Sequence, residues 1–457
     1  MKKYKSYSTY KSSGVEWLGN IPEHWGLRRI KSIIVNSING AWGEDPKDDD
    51  NDVICVRVAD FDYSSLGISS NSLTLRNIEP SQQLSRILLK TDLLIEKSGG
   101  GENQSVGRMV SFNLDKKSVC SNFIARLVIS REVHHRFLCY VFAAMYSINL
   151  NIRSIKQTTG IQNLDLYSYL CETFAFPSFE EQDLIANFLD RETTRIDTLI
   201  TKKGELINLL KKKRNTVIAH AVTKGLDPEV PMKDSGISWI SQIPKHWLRI
   251  PTKYVCSSVR DGTHNPPPRV DGEYRLLSVR NIQDGEFILR DDDRLMDAEA
   301  FAELQRSYTV RKGDVVVAVV GATTGKSAVV GDLEKISVQR SIAILRPNYS
   351  MISSNYLNFW IGSSVVQYEI ALVASKYAAQ GGIYLEDLAN LTCVVPPTIE
   401  EQTEILNFLD KAFIPLVKAE KKLLKQINEL KKYRQALITA AVTGKIDVRE
   451  EVERGAA

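Results

Sequence analysis

A chain of 457 residues exceeds one ordinary domain, and 43% hydrophobic content with a mean hydropathy of −0.19 describes a globular protein with material for several cores. The net charge of +4 permits a nucleic-acid partner without demanding one. No apolar run reaches membrane-spanning length, MKKYKSYSTYK lacks a signal-peptide core, and the six cysteines show no close pairing, so a cytoplasmic chain with no membrane contact, disulfide framework or Cys-rich zinc site is expected.

The first recognisable block is Ser13-Gly14-Val15-Glu16-Trp17 followed by Ile21-Pro22-Glu23-His24-Trp25. Two Trp on a Pro-containing loop predict aromatic area buried at the base of a domain, with His24 a hydrogen-bonded packing residue. Val53 to Ala59 is rich in β-branched residues and reads as a strand. Lys90-Thr91-Asp92 is a turn feeding a second strand, Leu93-Leu94-Ile95, which runs into the Gly-containing loop Ser98–Gly101. Asn122 to Leu127 follows as a strand, Arg136 to Tyr146 as a helix, and Gly160-Ile161 leads out of the segment.

A long helical block comes next, opening at Ser178-Phe179-Glu180-Glu181-Gln182 and closing near Thr223-Lys224-Gly225-Leu226-Asp227. Ser178 with Glu181 reads as a capping box, the hydroxyl taking the N3 amide and the glutamate reaching back. Thr194 and Asp197 then resemble a second helix start.

All of this occurs twice. Trp239, Ile243-Pro244 and His246-Trp247 repeat the opening block 222 residues later. Arg275 to Val279, Lys312-Gly313-Asp314 with Val315 to Val317, Gly321 to Gly325, Ser341 to Leu345, Asn355 to Tyr368 and Gly382-Ile383 repeat the globular segment. Thr398-Ile399-Glu400-Glu401-Gln402 reopens the helix, with Glu401 lying 220 residues after Glu181 and about two-fifths of the aligned helical positions identical. Pro415 suits a second helix start in this copy. One seven-residue register fits both helices: Ile196, Ile200, Lys203, Ile207, Leu210, Arg214, Val217 against Leu416, Glu420, Leu423, Ile427, Leu430, Arg434, Leu437. Apolar positions interrupted by a few charges suit a short coiled coil, so Ile196, Ile207, Leu210, Val217, Leu416, Leu423, Ile427, Leu430 and Leu437 are its expected seam and subunit interface.

Strands and helices mix without a regular βαβ rhythm, which makes each globular segment α/β or α+β. The expected layout is 1–175 globular, 176–227 helical, 228–395 globular, 396–447 helical and 448–457 a tail.

Two stretches tempt an enzymatic reading. Gly321-Ala322-Thr323-Thr324-Gly325-Lys326-Ser327 resembles a phosphate loop, but three residues separate the glycines where the amide cradle needs four. Asn265-Pro266-Pro267-Pro268 resembles the Asn-Pro-Pro-aromatic motif of amino-methyltransferases, yet Pro268 cannot stack on a base and no Gly-rich cofactor loop follows a strand. A polyproline turn accounts for it. Neither a cofactor, a metal nor a catalytic residue is expected. A DNA adenine methyltransferase and a protein-binding coiled-coil scaffold remain the alternatives.

The order of the blocks resembles the DNA-specificity subunit of type I restriction-modification enzymes. Pro177, Glu180-Glu181-Gln182 and Phe188-Leu189-Asp190 carry the likeness, with Pro397, Glu400-Glu401-Gln402 and Phe408-Leu409-Asp410 in the second copy, the Ile-Pro-x-His-Trp blocks, and Lys312-Gly313-Asp314. Lys90-Thr91-Asp92 departs mildly from the last of these. The resemblance implies that the globular segments are target-recognition domains and that the helices form an antiparallel coiled coil. It further implies a non-catalytic chain that binds double-stranded DNA and recruits two methyltransferase subunits and two restriction (ATP-driven motor) subunits. From Arg195 to Val222 is about 42 Å of helix at 1.5 Å per residue, which suits half-sites roughly one DNA turn apart, and the divergence of the two segments implies an asymmetric bipartite target with an unread spacer.

Base-reading residues belong on loops beside the strands. In the first segment the candidates are Arg57, Lys97, Asn103, Gln104, Arg108, Lys156 and Gln157; in the second, Arg269, Arg280, Thr323, Thr324, Lys326 and Lys376. Arg and Lys suit guanine edges or phosphates, and Asn and Gln suit adenine.

Overall fold

The computed structural model describes residues 4–101, 104–157, 160–283, 285–377 and 382–453. They fall into two compact units, Met1–Gly204 with Leu424–Ala457, and Glu205–Leu423.

In the first unit a four-stranded antiparallel sheet runs in the order Met109–Ser111, Leu93–Glu96, Ile124–Ile129, Ile34–Asn39. A three-stranded sheet pairs Asp52–Val56 in parallel with Ser118–Cys120 and antiparallel with Thr74–Asn77. The helix His135–Ser147 follows. Leu93–Glu96 is apolar without a break until its last residue because both of its faces are covered. Leu93 and Ile95 enter the core that holds Trp25, Phe137 and Phe174, while Leu94 enters a second one around Ile54, Val56 and Phe61.

The second unit repeats this plan. Ser327–Val329, Val315–Ala318, Ile342–Pro347 and Cys256–Asp261 neighbour one another in the same order, extended at one edge by two short strands. Tyr274–Leu277 again pairs in parallel with Ile336–Val338 and antiparallel with Arg294–Met296. Val315 and Val317 face the core of Trp247, Tyr356 and Trp360, and Val316 and Ala318 face the smaller one. The expected helix Asn355 to Tyr368 is two helices, Ser354–Gly362 and Ser364–Ser375. Ser363 adopts an extended backbone between them, and its hydroxyl donates to Trp360 O at 2.6 Å, closing the first helix.

The long helices are continuous, Phe179–Lys224 and Ile399–Val442, so the expected second starts are corrected. Asp197 pairs with Arg434 at 3.1 Å rather than capping a helix. Pro415 stays inside its helix, where buried Phe413 and packed Leu416 hold the turns on either side in line. Each unit contains the start of one long helix and the end of the other, running antiparallel. Lys203 Nζ donates to Gln426 Oε1 at 2.7 Å in the first unit, and Lys211 pairs with Glu420 at 3.6 Å in the second. All fourteen positions of the shared register are buried or half-buried.

The repeated sequence blocks meet at the base of each unit. The Ser178 and Thr398 hydroxyls accept the amides of Glu181 and Glu401 at 3.3 and 3.2 Å, as a cap should. The glutamates, however, do not reach back. Glu181 accepts from the Tyr7 hydroxyl at 2.8 Å and holds His24 Nε2 at 3.0 Å; Glu401 accepts from Trp247 Nε1 at 2.8 Å and holds His246 at 3.0 Å. A carboxylate with a charge-assisted partner in the Trp loop gains more than from its own helix amide.

The next residue does equal work in both copies. Gln182 accepts from His134 N at 2.9 Å and donates to Pro177 O at 3.0 Å and Glu132 O at 3.3 Å. Gln402 accepts from Ser353 N at 2.9 Å and donates to Met351 O at 2.8 Å and Pro396 O at 3.4 Å. Both are fully buried, and each satisfies an amide at the start of its domain's helix.

The Trp loops also receive the ends of the long helices. Lys224 Nζ donates to Gln242 O at 2.6 Å, and Lys445 Nζ donates to Leu18 O at 2.8 Å and to Asn20 O. Gly225 lies under Trp247, and Gly444 lies against Pro22 and Trp25. The order Lys-Gly in one copy and Gly-Lys in the other therefore serves the same pair of contacts.

Candidate nucleic-acid interface

Loops project from this doubled frame, and the backbone makes their correspondence definite. A Cβ added to Gly40 would meet Cys120 O at 2.1 Å, and one added to Gly262 would meet Val338 O at 2.2 Å. Only glycine lets the first strand leave its sheet so close to the neighbouring chain. The aspartates of the Lys-x-Asp turns also correspond, since Asp92 pairs with Arg126 at 2.7 Å and Asp314 with Arg346 at 2.8 Å. The two arginines occupy different positions in their strands, since Arg126 stands opposite Leu94 and Arg346 one residue beyond the partner of Val315.

In the first half, a small sheet joins Ser98–Gly99, Gln162–Leu164 and Ile155–Gln157. It brings Lys156 and Gln157 to the Ser98–Gly101 loop, where Ser98 Oγ donates to Asn163 Oδ1 at 2.7 Å. Lys97 Nζ donates to Asn39 Oδ1 at 2.7 Å, and Lys156 Nζ to Asp165 Oδ2 at 2.8 Å; Lys97 is half-buried and Lys156 exposed. Gln104 is exposed and bridges Gly101 through its backbone. Asn103 lies outside the described residues. Arg57 rests on Asp60 with Nη2 at 3.1 Å and Nε at 3.4 Å. Arg108 is half-buried, its guanidinium 4.3 Å from the Tyr63 ring centre and 4.7 Å from that of Tyr146, so it serves the aromatic packing.

In the second half, Arg269 is exposed after the proline run, and Arg280 is held by Asp292 at 2.7 Å. The Gly321–Gly325 loop is closed on itself: Thr324 N donates to Gly321 O, Gly325 N to Ala318 O and Lys326 N to Thr323 O. The amides of Thr324, Gly325 and Lys326 are therefore committed to neighbouring carbonyls, unlike the free amides of a phosphate cradle. Thr324 Oγ1 also donates to Gly321 O at 2.7 Å, while Lys326 is exposed at the loop's exit. Gln367 ties the Ser364–Ser375 helix to this loop through Gly325 O at 2.8 Å, and Lys376 is exposed at that helix's far end. Among the described residues no three His, Cys, Asp or Glu side chains form a metal-binding group, and no helix is long and apolar enough to cross a membrane.

Residues 276–429 match the family model described as the type I restriction modification DNA specificity domain. The chain is 27% identical over 331 residues to the type I restriction enzyme EcoBI specificity subunit of Escherichia coli, covering 70% of this chain and 68% of that one. It is 20% identical over 450 residues to the EcoKI specificity subunit of E. coli strain K12, covering 95% and 92%. A solved structure titled as the basis of complex assembly and conformational transition of the type I R-M system has a TM-score of 0.68 at 17% identity, covering 93% of this chain and 99% of that chain. The chain is similar to type I specificity subunits along most of its length, and its second half matches their DNA specificity domain.

Trp42, Glu96, Ser121 and Phe123, which sequence reasoning missed, line an open cavity of about 430 Å³ in the first half together with Arg57. Glu96 ends an otherwise apolar strand, at the position that holds buried Ala318 in the second half. A charge closing a buried strand was the signal available. Trp42, Ser121 and Phe123 correspond to His264, Gln339 and Ser341, and the candidate Arg57 to Ser278, each the residue that opens the following turn by accepting Asp60 N or Asn281 N. The pairings rest on the matched glycines, on the amide bonds Ile124 N to Ser121 O and Ile342 N to Gln339 O, and on Lys97 N to Phe123 O and Val319 N to Ser341 O. Every one of these lining positions differs between the halves, while the strands that carry them coincide.

Proposed function

We propose that this chain reads DNA sequence as the specificity subunit of a type I restriction-modification complex, each half contacting one part of an asymmetric bipartite target with an unread spacer. The supporting observation is the contrast within one chain. The base of each half repeats its Glu, Gln, Lys, Gly and Trp contacts, whereas the lining of the loops differs position by position. A frame kept twice with two different surfaces suits recognition of two different ligands. Loop side chains can vary there without disturbing a core.

The chain is not the catalyst of its complex. Methylation, ATP-driven movement and cleavage fall to partner methyltransferase and restriction subunits, two of each in this proposal. The long helices, whose register is packed inward, leave outer faces for those partners, with Leu206, Leu209 and Leu424 exposed. Methylome sequencing of cells with and without this gene, alongside its methyltransferase, tests the reading. A two-part asymmetric motif that disappears with the gene is expected. An unchanged methylome would leave a protein-binding scaffold as the better account.

A further inference from the structure

The cavity in the first half contains buried oxygens that the chain does not satisfy. Glu96 and Ser121 are 2% and 1% exposed, and neither Glu96 Oε2 nor Ser121 Oγ has a hydrogen-bond partner among the described residues. Both residues line the same cavity. Glu96 cannot withdraw, because its amide donates to Arg108 O at 2.8 Å and its strand pairs it with Ile124. A buried carboxylate without a donor is costly, so a position that keeps one calls for a donor from outside. Desolvation pushes the Glu96 carboxyl up to about 7, against the opposing pull of Arg108. Exposed Trp42 and Phe123 stand at the cavity's rim, 39% and 44% accessible. Arg57 spends Nε and Nη2 on Asp60, which leaves Nη1 available at the same opening.

We propose that this cavity receives the major-groove edge of a C·G base pair, with Glu96 accepting the one cytosine N4–H that base pairing leaves free and Arg57 Nη1 donating to guanine O6. The assignment rests on the DNA-reading function proposed above and names the base pair that the first half recognises. Among the four bases, only cytosine presents an amino donor in the major groove with no acceptor beside it. Adenine N7, guanine O6 and N7, and thymine O4 would each bring lone pairs towards the carboxylate. The second half has Ala318, Gln339 and Ser278 at the corresponding positions, so this recognition belongs to the first half alone.

The test uses the full chain assembled with its methyltransferase subunits. Methylation motifs are determined for the wild type, Glu96→Gln and Glu96→Ala. Binding is then measured on duplexes in which the assigned cytosine is replaced by 2-pyrimidinone, which lacks the amino group. The wild type should require a C·G pair in one half-site and bind the amine-free duplex about tenfold more weakly. Glu96→Ala should bind both duplexes alike. Glu96→Gln should admit adenine at that position, because an amide can both donate to N7 and accept from N6. The other half-site should be unchanged in every case. Equal wild-type binding to the two duplexes, or unaltered motifs in both variants, overturns the assignment. If Glu96→Ala fails to fold, the modified duplex on the wild type and the near-isosteric Glu96→Gln still decide. A wild-type complex that marks no defined sequence at all refutes the DNA-reading function itself, which separates that failure from this one.

Discussion

At the base of the first half, Glu181 holds Tyr7 and His24; at the base of the second, Glu401 holds Trp247 and His246. The carboxylate, its helix and the loop it clamps are the same, yet one donor has been exchanged. Because the Tyr7 hydroxyl occupies the Glu181 oxygen, Trp25 Nε1 is left buried without a hydrogen-bond partner among the described residues. The helix seams show the same kind of exchange. Arg434 forms an ion pair with Asp197, whereas Arg214 lies 4.8 Å from the centre of the Phe413 ring, since Val417 stands where the carboxylate would be. Repetition of a fold thus preserves the need for a partner at a given place, and the residue that meets the need can change.

The strictest test of the shared frame lies at Gln182 and Gln402. Each makes three hydrogen bonds in a fully buried site, so Gln182→Ala and Gln402→Ala should each cost about 2–4 kcal/mol, and the two costs should agree within about 1 kcal/mol. Urea denaturation measures both. Clearly unequal losses would break the equivalence of the two bases.

Glu96 should separate the halves by pH. Its carboxyl is raised from 4.5 to about 7 in the folded chain, so its contribution to stability is complete below about 4.5 and is lost as pH rises through 7. Arg108 and Tyr63 are the ionisable groups facing it. Relative to wild type, Glu96→Gln should gain roughly 3–3.5 kcal/mol at pH 8 and nothing at pH 4, at about 1.4 kcal/mol per unit of pKa. Denaturation midpoints of the two proteins across that range give the difference directly, and a constant difference would refute the burial argument.

Thr91 and Gly313 occupy the same turn at φ values of 81° and 85°. A β-branched residue is strained there, so Thr91→Gly should stabilise by about 1 kcal/mol. The reverse change, Gly313→Thr, should cost about 1–2 kcal/mol, because its Cβ would also meet the Tyr349 hydroxyl at 2.3 Å. Thermal melts of both variants would expose a failure of the pairing if the signs were the same. The smallest effect is expected at Tyr7→Phe. Losing the hydroxyl frees the Glu181 oxygen for the Trp25 N–H, as Glu401 already serves Trp247, so stability should change by less than about 1 kcal/mol. A substantially larger loss would show that Trp25 cannot take that place.

The repeat, the long helices, the strands after the Lys-x-Asp turns and the mixed fold class were all legible from residue order. Periodicity and repetition are properties of the chain itself, and both persist without knowledge of contacts. The helix starts at Thr194 and Pro415 were misjudged because local capping signals carry about 1 kcal/mol, less than the packing of Phe413 and Leu416 or the ion pair of Asp197 can supply. The roles of Glu181 and Glu401 were hidden for a similar reason: their partners lie far away in sequence, in the Trp loops. Among the loop candidates, net charge and side-chain type could not distinguish Arg108, enclosed by two tyrosines, from exposed Lys326. Sequence determined that two like halves exist and where each begins. Only tertiary structure decided which polar groups are already partnered and which, like Glu96 and Ser121, are left facing an open cavity, because burial and hydrogen bonding depend on segments that meet only when the chain folds.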